Sequence, residues 1–324
     1  YVANTHTPVL FFSSSGQVYK LKVYRLPLAT PQALGKAMVN LLPLDEGETI
    51  TSVMPLPEDE EQWANLSIVF ATALGRVRRN ALSDFSNVMA NGKIAIRLTE
   101  GDRLVGVQSC DDGDDLLLAA SGGKCIRFAA TDVRVFKSRT SDGVRGMKLA
   151  KGDAVISLSL VRHAEVEVEE RDDYLRSAIA ERRGNGEAET AAKASELAPD
   201  RLTELAANEE FILSITENGY GKRTSAYEYR IANRGGQGII NIVTSQRNGE
   251  VVAAFPVIES DELLLVTDGG QLIRCPVNDI RIAGRNTQGV TLFSTAEDER
   301  VVSVARLSDD GGEGDDGEDD DVGD

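Results

Sequence analysis

The 324-residue sequence is poor in the residues from which most catalytic and metal sites are built. It contains two histidines, His6 and His163, and three cysteines, Cys110, Cys125 and Cys275, with no CxxC pair. A histidine-based metal site and a triad-type nucleophile therefore have little support. The cysteines are typical of buried thiols in a reducing compartment. We expect this chain to be non-catalytic and to carry no cofactor and no metal.

Aromatic residues and long apolar runs are also scarce. Aromatics make up 5% of the chain, with one tryptophan, which disfavours proteins that stack single-stranded bases on aromatic rings. No apolar stretch approaches the roughly 20 residues of a membrane-spanning helix, and no secretory signal is evident. Ser121–Cys125 (SGGKC) lacks the upstream glycine and the following Ser/Thr of a Walker loop. We expect a soluble, cytoplasmic protein with no membrane partner.

What the sequence does contain is a motif that recurs five times. An apolar run leads into a turn that ends in glycine, and a basic residue follows four positions later. The pairs are Gly16/Lys20, Gly75/Arg79, Gly123/Arg127, Gly219/Arg223 and Gly270/Arg274. Two further signatures keep the same order: an acidic or glycine-acidic turn before a short apolar strand, and a glycine-containing box before another short strand. The boxes are residues 33–41, 91–98, 142–149, 236–243 and 287–293. A self-similar period near 50 residues predicts an array or ring of small units.

Short β-branched runs between regular glycine turns indicate an all-β class. Four strands per roughly 50 residues is the size of a propeller blade, and such a unit must stack on neighbours to bury its apolar face. We predict one propeller-like domain over residues 1–307, with about five to six four-stranded blades. Residues 163–210 break the period, and their Ala, Glu and Arg content predicts a helical or disordered surface insertion. Residues 308–324 predict a disordered acidic tail.

The net charge of −17 is unevenly distributed along the chain. The tail has ten acids and no base, and residues 163–210 have fourteen acids and six bases. The remaining repeats have 29 bases against 28 acids, and those bases lie next to the turns and boxes. Bases at equivalent positions around a ring suit sequence-independent contact with the regularly spaced phosphates of duplex DNA.

The candidate DNA-binding residues fall into two sets. The hairpins supply Lys20, Arg79, Arg127, Lys222, Arg223 and Arg274, and the boxes with the two or three residues before them supply Lys36, Lys93, Arg139, Arg145, Arg234 and Arg285. The leading six are Arg139, Arg145, Lys222, Arg223, Arg234 and Arg285. The base four residues after each turn glycine shares a strand face with the apolar residue two after it, so its charge must reach outward or be turned by a bulge. For any single base the alternative is an edge charge that blunts strand pairing.

Several segments resemble the C-terminal domain family of the DNA gyrase A subunit. They are NGYGKRT (Asn218–Thr224), GRNTQGV (Gly284–Val290), VNLLPL (Val39–Leu44), KVYRLP (Lys22–Pro27) and GVRGMKL (Gly143–Leu149). The resemblance implies a β-pinwheel, in which propeller-like blades exchange strands and a basic rim wraps duplex DNA to direct negative supercoiling. It implies a binding module of an ATP-dependent type IIA topoisomerase whose catalytic parts lie elsewhere. The partners it implies are duplex DNA, the rest of the gyrase A protein and the gyrase B protein, in a nucleoid-associated A2B2 enzyme.

One departure from the family and two alternatives bear on this interpretation. The family's Gln-Arg-Arg-Gly-Gly-Lys-Gly box is absent, and the nearest sequence is Asn233–Gly238 (NRGGQG). The equivalent domain of topoisomerase IV is similar, and a propeller-type protein-interaction scaffold would explain the ring without the basic recurrence. The acidic tail could compete with DNA for the rim as a tethered mimic, or serve only for solubility.

Overall fold

The computed structural model describes residues 3–30, 33–57, 63, 65–89, 91–183, 195–296 and 298–307. These residues form five small antiparallel sheets, which we call blades 1 to 5 in chain order. The all-β propeller prediction is confirmed, with five blades. The predicted tail, residues 308–324, lies outside the described residues, so its division from the domain at residue 307 stays a prediction.

Each blade begins as a hairpin that a third strand of the same repeat joins on one side. Blade 1 has β1 (Pro8–Ser13), β2 (Gln17–Lys22) and β3 (Ile50–Pro55); blade 2 has β4 (Ser67–Thr72), β5 (Arg76–Ala81) and β7 (Leu104–Cys110); blade 3 has β8 (Asp114–Ala120), β9 (Lys124–Ala129) and β11 (Val155–Arg162). Blade 4 has β12 (Phe211–Thr216), β13 (Tyr220–Ser225) and β15 (Val251–Val257); blade 5 has β16 (Glu262–Thr267), β17 (Leu272–Pro276) and β19 (Val301–Leu307).

The fourth strand of blades 1 to 4 comes from the next repeat along the chain. These donated strands are β6 (Lys93–Ile94) in blade 1, β10 (Val144–Arg145) in blade 2, β14 (Ile239–Ile240) in blade 3 and β18 (Val290–Thr291) in blade 4. They lie in the glycine boxes of the sequence. Among the described residues no strand joins the free edge of β17, so blade 5 has three strands. The box of the first repeat forms a 3-10 turn at Met38–Asn40 instead of a strand.

The repeated glycines explain why strand exchange recurs. The hairpin glycine of blade 4, Gly219, has φ +76°, and a Cβ there would collide with the carbonyl oxygen of Phe293, just past the donated strand β18. The backbone amides of Leu292 and Phe293 donate to the Gly219 carbonyl. Only glycine allows this φ and this close approach. At Gly270, where no strand is donated, a Cβ would meet nothing within 4 Å.

The strand order fixes which edge of each blade faces outward. The third strands, β3, β7, β11, β15 and β19, contact one another in chain order from blade to blade and so form the inner edge of the blades. The hairpin strands come next, and the donated strands are outermost. Apolar side chains fill the space between successive blades, such as Phe12, Phe70 and Phe85 between blades 1 and 2. The hairpin strands of blades 2 to 4 are buried on both faces, whereas several side chains of β17 and β19 in blade 5 are exposed.

The described part of the insertion between β11 and β12 contains two helices. Helix α1 (Val168–Arg183) and helix α2 (Pro199–Ala207) pack against the turn after β13. The Tyr174 ring meets the Tyr227 ring edge-on at 5.4 Å, and the Tyr227 hydroxyl donates to the Leu205 carbonyl at 3.0 Å. Residues 184–194 lie outside the description. Neither described helix has the length and apolar character needed to cross a membrane.

Candidate nucleic-acid interface

The outer edge of blades 1 to 4 is made by four chain segments, which we call the rim segments. They are residues 86–94 (without residue 90), 134–145, 230–240 and 281–291. Each ends in a donated strand, and the last three also form a parallel bridge further along the same edge, Val135 with Arg79, Ile231 with Arg127 and Ile282 with Arg223. The rim segments are therefore the outermost backbone of the ring.

The rim segments are strongly basic in a protein whose net charge is −17. They contain nine bases and one acid, Asp142. The bases are Lys93, Arg134, Lys137, Arg139, Arg145, Arg230, Arg234, Arg281 and Arg285. Asp142 is paired with Arg76 of the neighbouring strand at 2.8 Å, which leaves the rim positive along its length.

Rim arginines also link one rim segment to the next. One arginine in each of the last three segments donates to a carbonyl of the preceding donated strand. The contacts are Arg139 to Ile94 at 3.5 Å, Arg234 to Arg145 at 3.3 Å and Arg285 to Ile240 at 2.8 Å. These side chains are exposed or half-buried, so each spans the junction between two blades while facing solvent. The positive charge is thus continuous across blade boundaries.

Several positive charges lie close together at the first junction, between rim segments 86–94 and 134–145. Partial burial lowers the pKa of Lys93, and the nearby positive charges of Arg139 and Lys20 lower it further, while Asp84 opposes them. Lys93 also donates to the Asn87 carbonyl at 3.0 Å. A cluster of cations favours binding of a phosphate, because the phosphate relieves their mutual repulsion.

The predicted hairpin bases lie elsewhere, between blades. Arg79, Arg127 and Arg223 are each only 5% exposed. Each hairpin base up to blade 4 donates to carbonyls in or beside the 3-10 turn of the next blade. The contacts are Lys20 to Ser86, Arg79 to Ala130 at 3.3 Å, Arg127 to Ala226 at 3.0 Å, and Arg223 to Asn278 at 3.1 Å and Ile280 at 2.7 Å. These bases join consecutive blades.

The hairpin bases point to the same side of the strand as the residue two positions before them, as regular alternation requires, and β5 has no bulge that would reverse this. Val77 and Arg79 lie on the same face of β5, and both are buried against blade 3. The charge is met there by carbonyl oxygens and by carboxylates rather than by solvent. Arg127 is paired with the fully buried Asp115 at 2.8 Å, and Asp115 also contacts His163 at 2.9 Å. Their placement favours a structural role, while DNA contact by Arg79, Arg127 and Arg223 stays a prediction.

Two other predicted residues, Arg274 and Lys36, are exposed but do not belong to the rim segments. Arg274 has no following blade to meet; its side chain is 67% exposed and pairs with Glu262 of its own blade. Lys36 is exposed beside the 3-10 turn of the first repeat, away from the four rim segments in sequence. The structure therefore brings Lys93, Arg139, Arg145, Arg234 and Arg285 together on one edge, with Lys20 beneath them.

Lys222 is fully buried under the last rim segment. Its ammonium nitrogen contacts the carbonyl oxygens of Gly284 and Arg285, each at 2.7 Å. Burial lowers the pKa of Lys222 to about 7; the Arg285 charge adds to this shift and the Glu228 charge opposes it. Its counterpart in blade 2 is Arg78, whose pKa burial lowers to about 10. Neither side chain can reach a DNA phosphate from this position.

The rim also carries a third set of bases that the sequence predictions did not include. Arg134, Arg230 and Arg281 each follow a hairpin base by seven residues and precede a parallel bridge on the rim. All three are exposed. The spacing Arg127–Arg134, Arg223–Arg230 and Arg274–Arg281 is visible in the sequence, so a search for arginines in register with the hairpin glycine would have found them.

The described part of the chain contains no arrangement of side chains typical of a metal site or a reactive thiol. No group of three or more His, Cys, Asp or Glu side chains there could hold a metal ion. The three cysteines are free thiols; Cys110 and Cys125 are buried, and burial raises the pKa of Cys110 to about 11. A thiol with so high a pKa is a poor nucleophile near neutrality.

Comparison with known proteins matches the repeats one by one. The family described as "DNA gyrase C-terminal domain, beta-propeller" matches residues 7–57, 67–111, 114–162, 210–258 and 261–308, one stretch per blade. The chain is 51% identical over 317 residues to the DNA gyrase A protein of Rickettsia bellii (strain RML369-C), covering 96% of this chain and 35% of that protein. It is 53% identical over 319 residues to that of Granulibacter bethesdensis (strain ATCC BAA-1260 / CGDNIH1), covering 93% and 34%.

Solved structures share the fold at lower identity. A DNA gyrase A C-terminal domain superposes with a TM-score of 0.67 at 22% identity, covering 94% of this chain and 84% of that one. The C-terminal domain of a DNA topoisomerase IV gives a TM-score of 0.72 at 22% identity, covering 94% and 80%. The fold alone does not separate the two enzymes; the sequence relatives do. This chain spans about a third of the length of the relatives it matches.

Proposed function

The chain belongs to the DNA gyrase C-terminal domain family, and on that premise we propose that it bends and wraps duplex DNA around its basic rim. The observation that carries the proposal is the rim itself, with nine bases against one acid on the outermost backbone of a protein whose net charge is −17. Selective placement of positive charge on one edge is expected of a surface that follows a phosphate backbone.

The proposed contacts are electrostatic rather than base-specific. The bases recur at each blade, as phosphates recur along a duplex, and the rim segments contain only one aromatic residue, the largely buried Phe136, on which a base could stack. Bending a site of 20–30 base pairs costs on the order of 1–6 kcal/mol. Many phosphate contacts must offset that cost, which is why the whole rim rather than one blade is needed.

The residues we assign to DNA contact are the exposed and half-buried bases of the rim. Five of them, Lys93, Arg139, Arg145, Arg234 and Arg285, are sequence predictions, and we add the exposed rim bases Arg134, Lys137, Arg230 and Arg281. Lys20 donates to the Ser86 carbonyl at the start of the first rim segment. Lys36 and Arg274 are exposed, and we keep them as peripheral candidates.

In its parent protein we propose that this chain serves as the non-catalytic wrapping module of an ATP-dependent type IIA topoisomerase. The matched relatives are gyrase A proteins, which favours gyrase over topoisomerase IV. The partners would be the rest of the gyrase A protein and the gyrase B protein, in an A2B2 enzyme of the cytoplasm and nucleoid. Wrapping by this module would give the enzyme its preference for introducing negative supercoils.

Charge reversal on the rim tests the proposal. The variant combines Arg139→Glu, Arg234→Glu and Arg285→Glu, one substitution in each of the last three rim segments. Its control combines Arg103→Glu, Lys151→Glu and Arg300→Glu, three exposed bases in the turns before the inner strands β7, β11 and β19. We expect the rim variant to lose duplex affinity by at least about 100-fold and the control to lose far less. Both variants change the net charge equally, so a difference between them reports the position of the substituted bases.

Equal losses in the two variants would overturn the rim assignment. Absence of duplex binding by the unmodified chain, even at low salt, would instead favour a protein-interaction scaffold. Circular dichroism and urea unfolding of both variants establish that the ring is intact before affinities are compared.

We further propose that the acidic tail, residues 308–324, modulates wrapping. It has ten acids and no base, and it follows β19 in the sequence. A tethered polyanion competes with DNA for a basic surface at high effective concentration. A chain ending at Leu307 should bind duplex DNA more tightly than the full chain; equal affinity would leave the tail a solubilising role.

A further inference from the structure

Two blades hold a fully buried cation that no phosphate can reach. The third residue after the hairpin glycine is Arg78 in blade 2 and Lys222 in blade 4, and both are 0% exposed. The same position holds Tyr19, Ile126 and Ile273 in blades 1, 3 and 5. Burying a cation is costly unless acceptors surround it, so the partners of these two side chains indicate what they do.

The partners of Lys222 all belong to one rim segment. Its Nζ donates to the carbonyl oxygens of Gly284 and Arg285, and Thr287 offers its hydroxyl at 3.2 Å and its carbonyl at 3.4 Å. These oxygens lie on both sides of the Arg285 side chain along the backbone. The backbone from 284 to 287 is therefore folded around the buried amine, with Arg285 projecting from the fold.

Arg78 has the same relation to the rim segment on the outer edge of blade 2. Its guanidinium donates to the carbonyl oxygens of Arg139 at 2.6 Å and Ser141 at 2.7 Å, and also to that of Ala95. It stacks over the Phe70 ring at 5.2 Å, which holds it in place. The Arg139 side chain leaves this folded backbone and spans the junction to Ile94.

The residue two further along each strand reinforces the pattern. The Asn80 amide donates to the Phe136 carbonyl at 2.7 Å, and the Thr224 hydroxyl donates to the Ala283 carbonyl at 2.7 Å. Blade 3 has the apolar Ile126 and Phe128 at these two positions. There the rim segment contains Gly235 and Gly236, and a cavity of about 270 Å³ lined by Ile126 lies at the place of the buried cation.

We propose that Arg78 and Lys222 are positioning residues, which hold the rim backbone in the shape that presents Arg139 and Arg285 to DNA phosphates. This inference rests on the proposed function, because it assigns a role toward the same DNA-binding surface. The fold itself does not require a cation at this strand position, since blades 1, 3 and 5 form without one. Replacement by isoleucine, the residue of blade 3, should therefore release the rim loop without unfolding the ring.

The experiment is a double-mutant cycle on the full chain with a linear duplex of about 40 base pairs as the probe. The variants are Lys222→Ile, Arg285→Ala and the two combined, with Lys222→Arg as the conservative variant. If Lys222 acts through Arg285, the first two variants lose affinity by similar factors and the double variant loses no more than either. Lys222→Arg should restore most of the affinity, because blade 2 uses arginine at this position.

Hydrogen exchange supplies a readout that does not depend on DNA. Amide exchange over residues 284–289 should accelerate at least about tenfold in Lys222→Ile and not in Arg285→Ala, since only the former releases the loop. Losses of affinity that multiply in the double variant, or loop exchange unchanged in Lys222→Ile, would overturn the positioning role. The parallel pair in blade 2, Arg78→Ile with Arg139→Ala, decides the matter if Lys222→Ile does not fold.

The outcome also separates this inference from the proposed function. If Arg285→Ala itself leaves duplex affinity unchanged, the assignment of Arg285 to DNA contact fails, whatever Lys222 does. If Arg285→Ala weakens binding and Lys222→Ile does not, the rim binds DNA and the positioning role alone is wrong.

Discussion

Arg127 and Arg274 occupy the same position of the repeat in different surroundings. Arg127 is buried between blades 3 and 4, where Asp115 and two backbone carbonyls accept its hydrogen bonds. Arg274 is exposed at the last blade and pairs with Glu262. The contrast isolates what a following blade adds to a hairpin base, because sequence position and residue type are held constant.

We predict that Arg127→Met destabilises the ring by about 3–5 kcal/mol, because it leaves the buried Asp115 carboxylate without its main partner. Arg274→Met should cost under about 1 kcal/mol, as expected of an exposed pair. Urea unfolding followed by far-ultraviolet circular dichroism measures both. Similar midpoints for the two variants would contradict the assignment of Arg127 as a link between blades.

Lys222 gives a prediction for pH. Its pKa is about 7 in the folded protein and returns to its ordinary value of 10.5 on unfolding. Between these values the unfolded chain holds a proton that the folded protein has released, so stability rises with pH. The gain is at most about 1.4 kcal/mol per pH unit and is complete near pH 10.5. Below pH 7 both states are protonated and this contribution no longer changes.

The measurement is the free energy of unfolding from pH 6.5 to 9.5 for the unmodified chain and for Lys222→Ile. Subtracting the two curves removes the titration of the cysteines and tyrosines. The difference should be level below about pH 7 and should then rise with pH in favour of the unmodified chain. A flat or falling difference would show that Lys222 keeps its proton in the folded state.

At the scale of the element, glycine residues rather than charged residues allow the donated strand to pair with its acceptor blade. Gly289, just before β18, has φ +78°, and a Cβ there would lie 2.7 Å from the Gly221 carbonyl of the acceptor strand. Gly270 has nearly the same φ, +83°, but a Cβ there would meet no atom within 4 Å. The two glycines share a backbone conformation and differ only in the strand that one of them accommodates.

We predict that Gly270→Ala costs about 1–2 kcal/mol for the left-handed backbone alone. Gly289→Ala should cost about 1–3 kcal/mol more, since the added methyl group also pushes β18 away from β13. Thermal unfolding gives the totals, and hydrogen exchange across β13 shows where the loss occurs. Equal destabilisation with equal exchange in β13 would mean that the close approach is unimportant.

The elements also show what the sequence could and could not predict. The three repeating signatures predicted hairpins, the repeat period and the all-β class, because turn glycines and apolar alternation are local signals. They did not predict that the base after each hairpin, Arg127 for example, would be buried. Its acceptors are the carbonyls of Ala226 and Arg162, 99 and 35 residues away in the chain. A charge on an apolar face is expected to be exposed until the partner that satisfies it is known.

About half of the rim bases were predicted from the sequence, because they recur with the glycine boxes. The box bases Lys93, Arg139, Arg145, Arg234 and Arg285 lie on the rim because the boxes are the donated strands and their loops. Arg134, Arg230 and Arg281 escaped notice because they recur in three blades rather than five. The sequence did not predict the burial of Lys222, because only the structure shows that β13 is buried on both faces.

At the scale of the molecule, charge is sorted by radius. The inner strands are mainly apolar, the blade interfaces hold buried bases whose partners are carbonyls and carboxylates, and the rim holds the exposed and half-buried bases. The net charge of −17 hides this arrangement, because the acids lie mainly in the tail, the insertion and the turns before the inner strands. The family membership inferred from short segments of sequence is confirmed, and the rim is the feature that the family comparison does not itself explain.

The measurement that tests this account most directly is the affinity of the full chain for duplex DNA across a salt series from 50 to 300 mM. Each phosphate contact contributes about −0.9 to the slope of log affinity against log salt. A rim that engages DNA over several blades predicts a slope steeper than about −4, with no preference between unrelated sequences of equal length. A slope near zero, or no detectable binding at the lowest salt, would contradict a phosphate-binding rim.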